Sequence, residues 1–226
     1  MRKLFPTRRF VRSLRVESSR ISKALDLSDE LRSLVQATHD NAFVRVVNMY
    51  QFVLICQRDV ALLIADIIDS KDRARTQLYV RVLALVLSEF FEDLEVLFNN
   101  EFRKQFESLF PREDVRSGLR DVCRTLSQLR QCHDPTLRAI RNTVIAHREH
   151  DVTAQLAALA SLDQGRILDL AMAVKMWQAS FVLLWIPVLQ ARSRFNWSKS
   201  LRNTLVESLG LPPNSAAAGD VKKHGA

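Results

Sequence analysis

The chain has 226 residues, 47% of them hydrophobic, enough for one sizeable core or a core domain with appendages at both ends. Five glycines and six prolines leave few of the turns a many-stranded protein needs, which argues against all-β and doubly wound architectures and predicts an all-α helical bundle. The formal charge of +8 sits almost entirely in residues 1–25, where eight Lys and Arg face one acid, Glu17, and the remainder is close to neutral.

That first segment (Arg2, Lys3, Arg8, Arg9, Arg12, Arg15, Arg20, Lys23) reads as a basic N-terminal arm, set apart from a helical domain over residues 26–210 and a disordered tail over residues 211–226. Clustered cations suit nucleic-acid phosphates or an anionic membrane, an organelle transit peptide shares the composition, and a solvated, disordered terminus would look the same. Ser28 followed by Asp29 and Glu30 fits an N-cap with first-turn acids, opening a helix that reaches Thr38 or His39. From Ala42 to Ile68 the residues are apolar nearly all round, with a narrow polar stripe at helical spacing. Asp72 to Phe98 repeats the pattern, and a further turn or two reaches Phe110 before Pro111 stops it. Val115, Leu119, Val122, Leu126 and Leu129 then step by four and three, the apolar seam of a helix of about 18 residues.

Asp134-Pro135 has the form of a break and restart, with Asp as cap and Pro at the first helical position. The helix it opens buries Leu137, Ile140 and Val144 and ends near His147, where the sequence turns polar. Thr153–Ala160 and Gly165–Ile186 read as two more helices, the second bent or broken by Pro187, and Ser198 caps a last one closing at Gly210. The most apolar stretch, Ala179–Leu189, is too short to span a bilayer, so no transmembrane segment is expected. Cys56, Cys123 and Cys132 are odd in number and widely spaced, which predicts reduced thiols and a cytoplasmic location.

One segment carries the residue types of metal-free phosphodiester chemistry. In Arg141-Asn142-Thr143-Val144-Ile145-Ala146-His147, a permanently charged guanidinium can grip phosphate oxygens in a bidentate fork. An imidazole can take or give a proton near neutral pH, and the Asn142 amide can orient either group or a ribose hydroxyl. Together they suffice for RNA cleavage by attack of a 2′-hydroxyl on the neighbouring phosphate, with no cofactor and no metal. On an ideal helix, however, residues 141 and 147 lie about 120° apart around the axis and ~9 Å apart along it. Either the helix ends before His147 or two chains contribute to a shared cleft.

The string LRAIRNTVIAHREHD resembles the HEPN superfamily, whose signature is Arg, a polar residue directly after it and His a few positions on, at the C-terminal end of a bundle helix. Arg141, Asn142 and His147 match those positions, and Leu137, Arg138, Ala146 and Arg148 make the wording most similar to HEPN proteins of the abortive-infection U type. The resemblance spans about Pro135–Asp151 and, more loosely, the helices from Ala42 onward. It implies a HEPN-like bundle, here with extra C-terminal helices, and a homodimer with the motifs facing across the interface. It also implies metal-independent endoribonuclease activity in a prokaryotic antiviral or toxin system, where a partner protein or antitoxin is possible. Arg138, sharing a face with Arg141 at a spacing of three, and Arg148 are candidate RNA contacts.

Other readings stand beside these. Arg141 can pair with a carboxylate and His147 can sit at a helix C-terminus, which leaves a non-catalytic helical interaction module that scaffolds or neutralises a partner. Cys132, His133, His147 and His150 lack the spacing of a zinc module. Glu89, Glu92, Asp93 and Glu95 lack the ExxH of a di-iron bundle. Trp177, Trp185 and Trp197 fit a core or a dimer interface, and Trp197, beside Arg192, Arg194 and Lys199, is the one candidate for base stacking.

Overall fold

Val11, Leu14, Ser18, Ile21, Ala24, Ser28, Leu31 and Val35 recur at spacings of three and four, and all are buried. This seam makes Thr7–Ala37 a single helix, α1, in a computed structural model that describes residues 7–37, 39–145 and 163–191. Five more follow: α2 Asn41–Asp69, α3 Arg73–Leu97, α4 Asn100–Leu109, α5 Glu113–Ile145 and α6 Gln164–Ala191. Among the described residues there is no strand, and the protein is an all-α bundle.

Polar caps punctuate the bundle. His39 adopts a left-handed φ of 58° at the turn out of α1, and the Asp40 side chain accepts from Phe43 N at 3.0 Å to start α2. Asp72 and Asn99 cap α3 and α4 in the same way, accepting from Ala74 N and Phe102 N at 2.8 Å each. At α6 the Asp163 carboxylate accepts from Gly165 N at 2.9 Å.

Helix α2 is the centre: it packs against α1, α3, α4 and α6, while α5 lies on α3 and α6. Aromatic rings fill the space between them. Tyr50 stacks on Trp185 at 4.3 Å between centroids, and Trp177 packs against Phe181, Phe90 and Phe98 at 5.6, 5.7 and 6.2 Å. Trp177 and Trp185 are thus core residues. Where α5 crosses α6, Gly118 permits close approach, because a Cβ there would sit 2.7 Å from Leu184 Cδ1.

Four expectations are corrected. Residues 7–25 are not a solvated arm: they form the first half of α1 and dock on α2, because the cations occupy one side of the helix and Val11, Leu14, Ile21 and Ala24 the other. Ser28 is no N-cap; it lies buried in mid-helix, donating to the Leu25 carbonyl at 2.8 Å and accepting from Gln51 Nε2 at 3.1 Å. Asp134-Pro135 does not break the chain, since α5 runs for 33 residues with Pro135 inside it. The expected α3 extension to Phe110 is instead the separate helix α4.

Pro187 also lies within a helix, and α6 has 28 residues, well beyond its most apolar stretch. Gln164–Trp185, 22 residues of mean hydropathy 1.5, is long and apolar enough to cross a membrane, and half of it is buried inside the bundle. The expected helices Thr153–Ala160 and Ser198–Gly210, Trp197 and the tail over residues 211–226 lie outside the described residues.

Candidate functional site

Helix α5 is held to the bundle by its apolar seam. Val115, Leu119 and Val122 are buried, Leu126 and Leu129 pack partly buried against the core, and the Val122 carbonyl accepts from Trp177 Nε1 at 2.9 Å. The same helix, continuing past Pro135, carries the backbone of Arg138, Arg141 and Asn142 in its last turns. Their side chains, and the whole of His147, Arg148 and His150, lie outside the described residues. The continuous run of α5 through residue 145 bears on the expected geometry: within the described residues, the helix does not end before the motif's first two members.

The part of α5 before Pro135 shows a feature that composition alone did not reveal. Arg116, Arg120 and Arg124 recur every four residues, and Arg130 follows; an i, i+4 scan would have found the row. Each is engaged. Arg116 donates to the Glu107 carbonyl at 2.9 Å from Nη2, Arg120 pairs with Glu113, Arg124 with Asp121 at 2.9 Å, and Arg130 with Glu95 on α3 at 2.6 Å. Arg103 of α4 donates to the Phe98 carbonyl at 3.1 Å.

Between these arginines α4 and α5 leave a groove of about 250 Å³ lined by Arg103, Glu107, Arg120, Cys123 and Arg124. A second, of about 200 Å³, shares Arg103, Cys123 and Ser127 and reaches Glu95 and Arg130. The Cys123 thiol at their junction is pushed up by burial, an effect the Arg103 charge opposes. Burial likewise pushes the Cys56 thiol up to about 12, with the Gln178 amide opposing and the Asp59 carboxylate adding to it. Neither thiol is therefore a ready nucleophile at neutral pH. Cys56, Cys123 and Cys132 are all free.

Among the described residues no group of His, Cys, Asp and Glu is arranged to hold a metal. No family model matches the chain, and it matches neither a curated protein nor a solved structure.

Proposed function

We propose that the protein is a HEPN-type, metal-independent endoribonuclease of a prokaryotic antiviral or toxin-like defence system, with a composite Arg/His site formed between two copies. The observation that carries this reading is the position of Arg141-Asn142 on the final described turns of a long bundle helix in an all-α protein, with His147 following beyond it. A site shared by two copies suits a motif carried on a long helix. If the helix extends to the histidine, the directions of Arg141 and His147 lie about 120° apart, and a second chain would then bring an imidazole to a phosphate held by the first.

In this mechanism His147 takes the proton of a ribose 2′-hydroxyl, whose oxygen attacks the adjacent phosphorus. The Arg141 guanidinium neutralises the charge that builds on the non-bridging oxygens, and Asn142 orients the ribose. The bond to the 5′-oxygen breaks, that oxygen takes a proton from a water molecule as it leaves, and the ends are a 2′,3′-cyclic phosphate and a 5′-hydroxyl.

The test is cleavage of end-labelled RNA in the presence of a chelator. His147→Ala and Arg141→Ala are each expected to abolish cleavage without changing the helical circular dichroism. Undiminished cleavage by His147→Ala rules the mechanism out. RNA bound but never cut by the unaltered chain leaves the non-catalytic interaction module.

A further inference from the structure

We infer that the outer face of α1 is a docking surface for the phosphodiester backbone of RNA. The inference rests on the reading of the protein as an RNA-acting one, yet it concerns a different helix from the motif.

The surface is built by register. Arg8, Arg9, Arg12, Arg20 and Lys23 are all exposed, and at ~100° per residue they fall within a sector of about 120°, opposite the seam buried on α2. From position 8 to position 23 the row extends ~22 Å along the axis, enough to follow several successive phosphates. Among the described residues none of these five cations meets a carboxylate. Two acids beside the row are committed elsewhere: Glu17 accepts from Lys175 Nζ at 2.6 Å and from Gln57 Nε2 at 3.2 Å, and Asp69 of α2 is held by Arg15 at 2.9 Å; Asp26, three residues past Lys23, forms no ion pair with it among the described residues. A groove of about 480 Å³ opens beside the start of the row, where Arg8, Arg12 and Arg15 line it together with Val11 and Val16, and Asp69 is its one carboxylate.

The charge also runs against the helix's own field. The positive end of the macrodipole lies at the N-terminus, where acids are favoured, but α1 has none in its first turn and opens with Arg8 and Arg9. Apart from Glu17, its acids Asp26, Asp29 and Glu30 come in the second half, and no base closes the last turn. A distribution that opposes local stability is expected where a ligand supplies the missing countercharge, and at this end the ligand must be an anion.

The choice of polyanion follows from what α1 has already buried. A helix that lies in a membrane interface needs a free apolar face, whereas Val11, Leu14, Ile21 and Ala24 are consumed by α2. Within the span of the five cations the one exposed large apolar side chain on that face is Val16, and Leu34 lies on the same side further along. That leaves contacts between fixed cations and a phosphate backbone, which bind by counterion release and carry no sequence preference.

The experiment uses the full chain carrying His147→Ala, so that bound RNA survives, with a fluorescent mixed-sequence single-stranded RNA titrated at several salt concentrations. Five phosphate contacts correspond to a slope of about −3.5 in log K against log salt. Arg8→Gln, Arg9→Gln, Arg12→Gln, Arg20→Gln and Lys23→Gln together are expected to reduce the slope by about 3 and the affinity at ~0.1 M salt by a hundredfold or more. Lysine at the four arginine positions is expected to keep the slope, separating charge from any loss of fold, which circular dichroism reports.

An unchanged slope and affinity in the glutamine variant overturns the inference, as does a slope shallower than about −1 in the unaltered surface. Binding to phosphatidylserine vesicles through these residues, with no binding of RNA, overturns it in favour of a membrane surface. Cleavage that depends on His147 while RNA binding ignores the α1 substitutions sinks this inference and spares the nuclease reading; binding that follows the substitutions without any cleavage does the reverse.

Discussion

Helices α1 and α5 are alike in length, 31 and 33 residues, and each carries six arginines, yet the bundle uses them in opposite ways. In α5 the described arginines are interleaved with partners: Glu113 and Asp121 within the helix, Glu95 across to α3, and the Glu107 carbonyl of α4. In α1 only Arg15 and Arg32 are paired, and Arg8, Arg9, Arg12 and Arg20 point outward with no carboxylate beside them among the described residues. Arginine content therefore says little by itself. What separates a structural cation from an available one is whether an acid falls within a turn or across a groove, and the charge on α1 is free to be matched from outside.

The largest effect that would break this contrast concerns whether α1 is truly docked. Leu14 is 1% exposed on the α1 seam, so Leu14→Ala is expected to cost about 3 kcal/mol in urea unfolding, from lost burial and the cavity left behind. A loss below ~0.5 kcal/mol would mean that residues 7–25 behave as a detached arm and present no fixed face.

The second effect concerns α5. A proline inside a helix removes one backbone hydrogen bond and crowds the preceding turn, costing up to ~3 kcal/mol, whereas at a first helical position it costs little. Because Pro135 is exposed within the continuous α5, Pro135→Ala is expected to raise stability by roughly 1–3 kcal/mol. No change, or a loss, would favour the break that Asp134-Pro135 suggests in sequence. If cleavage falls while stability rises, the proline aims the segment that follows it.

Much of the fold was legible in the sequence because long apolar periodicity is hard to mistake. The expected Ala42–Ile68 and Asp72–Phe98 are α2 Asn41–Asp69 and α3 Arg73–Leu97 to within a residue or so at each end, since their apolar side chains have only the core to occupy. The misreadings came from local signals overruled by packing. Ser28 with two following acids has the form of a cap, but burial of Val11, Leu14 and Ile21 holds the preceding turns helical. Averaging charge over residues 1–25 hid their amphipathicity, because net charge carries no phase. For the site, the motif's chemistry was readable from residue type and spacing, while the direction in which Arg141 and His147 point depends on helix continuation and on a second chain, neither of which composition encodes. The α5 arginine row shares its i, i+4 spacing with the apolar seam of the same helix, so apolar periodicity alone does not show it.

The smallest effect tests the contrast most directly, because the same residue type should respond with opposite sign in the two helices. Arg9 sits in the first turn of α1, where a cation opposes the macrodipole, so Arg9→Glu is expected to stabilise the fold by about 0.3–1 kcal/mol at low salt. Arg130 pairs with Glu95 at 2.6 Å, both side chains being roughly half exposed, so Arg130→Gln should cost only about 0.2–1 kcal/mol. Both shifts should shrink in ~0.5 M NaCl, as screening requires. Two destabilisations of equal size would show that Arg9 supports the fold as Arg130 does, and the α1 face would no longer hold its charge in reserve for a ligand. Opposite signs, together with weaker RNA binding by Arg9→Glu alone, would mean that α1 gives up stability at the position where it gains affinity.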